Sequence, residues 1–512
     1  MLSACINYFI PLNKGNDFIA KKKGNGMKRL LYILFLCLIV CSGADAQTIP
    51  DTLKGKTVGV QLGTTGDTLA TDLTDIKTER YNNGNDAVQS LIRDKVAAVI
   101  LDEQPALAFI RENPGLVIMP HPFAEEEYAI AVSKEKTALK NDVNRILAEI
   151  KTNGMLQAVI DGYINSENQE RFSVPENQDH SAGTLRIATN ATFPPYEYYE
   201  NEKVTGIDID LAKIIAAKLH KKLVIEEMAF DSIIGAIQSG KADLGLSGMS
   251  VTPDRLKNID FSIPYTISKQ VIIVKSAETV VSSRLSLSER FKNDFIKKAR
   301  WKYLTTGLKH TLIITVLAVL IGILAGGLIA VVRVSHDENG SFPVLNFLCR
   351  VYLTVIRGTP MTIQLLIMYY VIFSAVNVHK ILVAVLAFGI NSAAYVAEII
   401  RSGILSVDHG QTEAGRSLGL SFSQTMRFIV LPQALKNALP SLANEFIALI
   451  KETSICGYIG LMDLTRGGDV IRSITYDAFL PLTAVALIYL VLVLVLTTYV
   501  SKLEKRLKRN ER

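Results

Sequence analysis

Four runs without a charged side chain crowd the C-terminal part of this chain, at residues 311–332, 358–378, 381–397 and 478–501. Crossing ~30 Å of hydrocarbon takes ~20 apolar helical residues, because backbone groups in lipid must satisfy one another. Three of the four runs are long enough unaided, so residues 308–502 are read as an all-α membrane domain of five transmembrane helices. The fifth span is placed over 437–460, which contains Glu445, Lys451 and Glu452. Ionisable groups inside a span are costly and usually face a pathway or a partner, which makes these three candidate pathway residues. The alternative leaves Lys451 and Glu452 at the interface, with their charges reaching water.

The chain before about Tyr303 is different in kind. It is mixed and polar, and 512 residues in all is more than one core organises, so separate domains are expected. Met27-Lys28-Arg29, the apolar LLYILFLCLIVCSG and then Ala44-Asp45-Ala46 form the charged start, short core and A-x-A exit of a signal peptide over 27–46. Residues 1–26 carry no such pattern and read as an upstream artefact. Cys5, Cys37, Cys41, Cys349 and Cys456 all fall outside the soluble stretch from Ala46 to Tyr303, which therefore has no disulfide frame and no thiol metal site. A net charge of +6 without a long basic block gives no reason to propose a nucleic acid as partner.

The stretch LKGKTVGVQLGTTGDTLA, from Leu53, carries a GKT that invites a phosphate-loop reading. Such a loop needs a glycine five positions before Gly55, where Pro50 stands, and it follows a strand rather than preceding one. The stretch instead opens an α/β alternation of short apolar strands and helical segments over 47–164, which resumes over 183–280. Strands are expected at 57–61, 97–101, 185–189 and 244–247, and helices at 143–152 and 208–219. The polar SENQERFSVPENQDHSAG marks a linker at 165–182.

GTLRIATNATFPPYEYY, GIDIDLAKIIAAKL and FDSIIGAIQSGKADLGLSGMSVTPDRLKNIDFSIPY resemble the opening lobe of the family 3 polar amino-acid-binding proteins of ABC importers. LKGKTVGVQLGTTGDTLA and VAAVILDEQPAL are similar to the second lobe of that family, and YAIAVSKEKTALKNDVNRILAEIKTNG to its closing segment. Each segment occurs once, with the later ones placed first. The resemblance therefore implies one α/β two-lobed periplasmic-binding-protein fold (type II), circularly permuted, with former ends joined by the linker. A rival arrangement pairs lobes between neighbouring chains.

The resemblance carries over a ligand site residue by residue. An α-carboxylate wants a forked guanidinium with N–H or hydroxyl donors, and Arg255 after Gly248 and Ser250 matches the family's carboxylate arginine. Asp102 stands where the family anchors the α-amino group; the plainer reading is a surface acid at a strand end. Phe193 and Phe230 match the aromatics around the ligand's aliphatic stem, against a plainer reading as core. Gln61, Thr64 and Thr65 supply amide and hydroxyl contacts at a helix N-terminus, where an anion is favoured. Asn190 stands where some relatives carry an acid, which tilts the expectation toward a neutral polar amino acid such as glutamine.

Arg357-Gly358-Thr359-Pro360 with Gln364, NSAAYVAEIIRSGI from Asn391, and the KETS at Lys451 resemble elements of HisM/GlnP-like permeases. Gly410, Glu413, Ala414, Gly415, Gly419 and Pro432 fall at the spacing of the EAA loop, here about 407–436, through which such a permease docks on its ATPase. Gly419 is expected to supply the turn and Pro432 to stop the following helix. The resemblance implies an exported receptor joined by a membrane-proximal connector (281–307) to a permease that works as a homodimer in the cytoplasmic membrane. The basic tail 503–512 then lies inside. The basic RFKNDFIKKARWKY at 290–303 must lie outside, and is expected as an amphipathic helix on the lipid surface. No cofactor is expected on this chain, since ATP is used by a separate subunit.

Two other classes use similar lobes. A ligand-gated channel inserts its pore within them, whereas here every span follows. An enzyme on this fold needs an acid/base pair in the cleft, where Asp102 is already assigned to the amino group.

Overall fold

In the computed structural model the described residues are 51–120, 124–164, 172, 174, 179–276, 286–374, 376 and 378–509. The expected signal peptide and most of the expected linker lie outside them. Six described strands precede the linker: β1 (Thr57–Gln61), β2 (Lys77–Tyr81), β3 (Ala98–Asp102), β4 (Leu116–Ile118), β5 (Ala124–Tyr128) and β6 (Ala131–Val132). Eight follow it: β7 (Thr184–Thr189), β8 (Thr192–Phe193), β9 (Glu197–Glu200), β10 (Lys203–Thr205), β11 (Lys222–Glu227), β12 (Leu244–Gly245), β13 (Asp260–Phe261) and β14 (Thr266–Lys275). Strand β3 is buried throughout, as its unbroken AVILD suggests for a strand covered on both faces. Strand β12 stops short of the expected 244–247, because the chain leaves the sheet there to form the loop carrying Ser247, Gly248 and Ser250.

One sheet runs β2-β1-β3-β14-β4, with β5 also on β14, a second runs β11-β7-β12-β6-β13, and a small third runs β10-β9-β8. Two strands trade places between the blocks. Strand β6 of the first block lies between β12 and β13 of the second, while β14 of the second lies between β3 and β4 of the first. Each of these two sheets thus takes strands from both blocks, and the register of β14 sets Gln270 opposite Asp102 and Ser268 opposite Glu126. Helices cover the sheets by apolar stripes; Thr137–Thr152, longer than expected, buries Val143, Ile146, Leu147 and Ile150.

Among the described residues, Trp301–Asn339, Lys380–Leu405 and Phe479–Arg506 are long and apolar enough to cross a membrane. The second uncharged run, 358–378, begins at a bend: Pro343–Gly358 before it and Met361–Ile372 within it meet at 108°. Pro360 explains the bend, since it has no N–H and holds the preceding Thr359 in an extended conformation. Leu431–Glu452 covers much of the fifth expected span. The Trp301–Asn339 and Lys380–Leu405 helices pack through small residues, with Gly322 against Ser392 and Gly326 against Ala393.

Two local expectations are corrected. The stretch 290–303 is not one surface helix: it passes through three short helical segments, Leu287–Phe291, Lys292–Ile296 and Lys297–Ala299, and its last residues open Trp301–Asn339. Two of its basic groups are tied to protein carboxylates, Arg290 to Asp477 and Lys298 to Glu200. Pro432 does not stop a helix but sits in the first turn of Leu431–Glu452. A π turn at Met426–Val430 shifts the hydrogen-bond ladder just before it, which accommodates the missing proline N–H.

Candidate functional site

The short helix Pro253–Asn258 aims the cleft's cation. The Thr252 hydroxyl accepts from the Arg255 N–H, and Pro253 is preset for the first turn. Arg255 is buried, and its guanidinium donates from Nη1 to Ser250 O at 2.7 Å and from Nη2 to Gly63 O of the other lobe at 2.9 Å. It also lies over the Phe230 ring, 5.4 Å from the centroid. Burial pulls its pKa down, opposed chiefly by the charge of Glu126 and then of Asp102.

Asp102 ends β3 and is 5% exposed, so its carboxylate depends on protein donors. The Tyr128 hydroxyl donates to it, with Gln270 Nε2 at 2.8 Å and Ser268 Oγ at 3.4 Å. Burial and the neighbouring Glu126 charge push it up to about 7. Beneath the Ser247–Ser250 loop lies a second carboxyl pair. Asp208 accepts from Gly248 N at 2.8 Å and the Tyr265 hydroxyl at 2.7 Å, and burial raises it to about 6. Glu197 accepts from Ser247 Oγ at 2.8 Å and is raised well above the carboxylate range by burial and the Asp208 charge.

All ten residues that the resemblance assigns to the ligand line one nearly closed cavity, with about 10 Å³ of free volume. That is room for about one water molecule. Gln61 Nε2 reaches Asn190 Oδ1 of the opposite lobe at 3.5 Å. Thr64 caps the Thr65–Asp72 helix with its hydroxyl, while Thr65 Oγ1 donates at 2.7 Å to Glu126. Glu197 and Ser247 also line the cavity and were missed; Ser247, next to Gly248 at a strand end, was the findable one.

In the membrane domain, His409–Ser417 and Phe422–Thr425 form a helix pair joined at Gly419, whose φ of +83° turns the chain in the left-handed region. Gly410 N bonds the capping Asp408 at 2.7 Å, and the buried Gly415 lets the pair cross closely: a Cβ there would lie 2.7 Å from Thr425 Cγ2. Glu413 and Ala414 face outward, as do Leu418 and Phe428 at 81% and 64% exposure. Of the three candidate pathway residues, Glu445 accepts from Ser392 Oγ at 3.1 Å, whereas Lys451 and Glu452 are exposed at the helix end.

The family model for bacterial extracellular solute-binding proteins, family 3, matches residues 185–456, more than half of the chain. Over 211 residues the chain is 38% identical to the arginine transport system permease protein ArtQ of Bacillus subtilis (strain 168), covering 41% of this chain and 94% of that protein. The glutamine transport system permease protein GlnP of Escherichia coli (strain K12) is 38% identical over 208 residues, covering 40% and 93%. The chain belongs to the amino-acid ABC transporters, as a family 3 receptor fused to a permease. A solved "amino acid ABC transporter with histidines" is 42% identical over 41% of this chain and 98% of its own, with a TM-score of 0.39.

In this transporter the receptor rests on its own permease, a seam that sequence reasoning did not find. One helix, Leu464–Thr475, reaches both lobes. Arg466 near its start pairs with Glu227 at the end of β11, and both are largely buried. Arg472 near its end pairs with Asp86 of the other lobe, whose neighbour Asn85 donates to Arg472 O at 3.4 Å. Just beyond, the Tyr476 ring meets Phe109 edge-on at 5.1 Å. Lys380 pairs with Glu226 at 3.2 Å and donates to Glu227 O at 3.0 Å. Gly460 has a φ of +63°, and a Cβ there would stand 1.7 Å from Glu227 O, so only glycine fits against the docked strand end.

Proposed function

We propose that this receptor–permease captures a polar amino acid between its lobes and passes it across the cytoplasmic membrane, driven by a separate ATPase subunit. The observation that carries this reading is the split of charge in a small cavity, Arg255 on one lobe and Asp102 on the other. A zwitterion matches that pair, and its binding favours lobe closure by differential affinity. The ten cavity residues act as its contacts, and the chain holds no cofactor of its own. The outward-facing EAA helix pair, with Leu418 and Phe428 exposed, suits docking on the ATPase.

The permease works as a homodimer with five spans per chain, counting the bent pair as one and Leu431–Glu452 as the fifth; at ~1.5 Å per residue that helix is long enough. The receptor then faces outward and the EAA loop and basic tail face the cytoplasm. A circular permutation accounts for the exchange of β6 and β14, because a second-lobe strand order that begins near the mature N-terminus still completes one receptor.

Co-expression with a cognate ATPase and reconstitution into lipid vesicles tests the proposal. ATP-dependent uptake of a labelled amino acid that also stabilises the full chain in a thermal-shift screen of all twenty is the expected result. Ligand-gated ion current without ATP would establish the channel instead.

A further inference from the structure

The strand AEEEY carries three consecutive glutamates, and the pleat of β5 turns only the middle one inward. Glu126 projects on the same face as Tyr128, and its strand neighbour across the register is Ser268 of β14. Its Oε2 accepts from Thr65 Oγ1 at 2.7 Å, from Ser250 Oγ and from Gln270 Nε2 at 3.4 Å. Thr65 belongs to one lobe and Ser250 to the other. Both hydroxyls are groups that the receptor reading gives to the ligand. Of the charges acting on Arg255, the carboxylate of Glu126 is also the strongest.

We propose that Glu126 is a built-in competitor that holds the carboxylate-binding donors of the cleft, so that an entering amino acid must exchange its own α-carboxylate for the Glu126 side chain. Three features of the site support an exchange rather than a passive contact. The hydroxyl donors can each give only one proton, so neither serves two carboxylates at once. Arg255 spends two of its N–H groups on the carbonyls of Ser250 and Gly63, which leaves a guanidinium with donors to spare for whichever carboxylate is present. Glu126 stands on a strand next to the inter-lobe crossing, so it swings aside by side-chain rotation without breaking the β5–β14 ladder. Such a competitor filters ligands: a compound lacking a carboxylate has nothing with which to displace it. The inference rests on the cleft being an amino-acid site, as proposed above.

The full chain in detergent or nanodiscs is titrated with each standard L-amino acid that binds it, and with the matching α-carboxamides. Glu126→Gln keeps the shape and removes the charge. It is expected to tighten the amino acids by about tenfold and the carboxamides by no more than about twofold at pH 7, the gain that fuller ionisation of Asp102 gives any ligand ammonium, with side-chain preference unchanged. Glu126→Ser, which is smaller, gives the same direction and guards against a folding defect in either variant. Binding unchanged in both variants, or equally tightened for acids and carboxamides, overturns the competitor. Weaker binding of basic amino acids alone also overturns it and makes Glu126 a partner of the ligand's cationic side chain. A wild-type chain that binds none of the twenty removes the receptor reading itself, and the competitor with it.

Discussion

The cleft and the seam are both built from Arg, Asp and Glu, but they close their charges differently. In the cleft, Arg255 donates to two carbonyls, and Asp102 and Glu126 accept from hydroxyls and an amide. In the seam, Arg466 meets Glu227 and Arg472 meets Asp86 directly. Charges held by neutral dipoles can be handed to a ligand, because the dipoles move to new partners at modest cost. Charges closed on each other fix a geometry, because separating them strands a buried ion. The cleft is therefore arranged for exchange and the seam for position.

The sharpest way to break this comparison is Arg255→Ala. Removing the guanidinium deletes charge-assisted hydrogen bonds worth about 1.5–3 kcal/mol each, so amino-acid affinity is expected to fall at least ~100-fold. Thermal unfolding of the ligand-free full chain is expected to change little, since the partners lost are two carbonyls that water can reach when the lobes part. Arg255→Lys, with the charge but not the fork, is expected to recover only part of the affinity. Calorimetric titration of both variants checks this, and full affinity in the alanine variant would remove Arg255 from the site.

The seam gives the opposite pattern. Arg466→Ala leaves Glu227 buried without its partner, a loss of about 3–5 kcal/mol where desolvation is complete. Ligand-stimulated ATP hydrolysis by the assembled transporter is expected to fall at least ~10-fold while the ligand Kd moves less than ~3-fold. Arg472→Ala, whose Asp86 partner is 23% exposed by side chain, is expected to show the same separation more mildly. A parallel loss of ligand affinity would mean that the seam shapes the cleft rather than reading it.

The cleft was legible in the sequence and the seam was not, for a physical reason. Ser250, Thr252 and Arg255 lie within one strand-end loop and helix start, so local rules of capping and turn chemistry place them together. Thr64 and Thr65 do the same on the other lobe. Asp86, Glu227, Arg466 and Arg472 read as ordinary surface charges, and only tertiary packing makes them partners across hundreds of residues. The bend at Pro360 had a local signal that the uncharged run around it concealed. Pro432 shows the reverse, where a strong local signal is overridden by a π turn that no pattern announces. Glu126 falls between these cases: strand alternation marks it as inward, but not which donors it meets.

The smallest expected effect sharpens the comparison by titration. Asp102 is pushed up to about 7, whereas a carboxylate ordinarily titrates near 3.8. A ligand ammonium needs Asp102 ionised, so the receptor without ligand holds more protons than the complex near pH 6, and binding releases a proton. By linkage, affinity then rises with pH up to about 7 and levels off above it. Between pH 6 and pH 7.5 a single site at that pKa gives about an eightfold gain. The proton count is read by calorimetry in buffers of different ionisation enthalpy. Because the Glu126 charge is one of the two causes of the shift, Glu126→Gln is expected to move the midpoint downward. Asp208, raised to about 6, titrates nearby but is held by Gly248 N and Tyr265, so its contribution stays in the Glu126→Gln variant and separates the two. Affinity that is flat from pH 6 to pH 8, or that falls as pH rises, would mean that Asp102 meets no ammonium and that the cleft takes its ligand by another set of contacts.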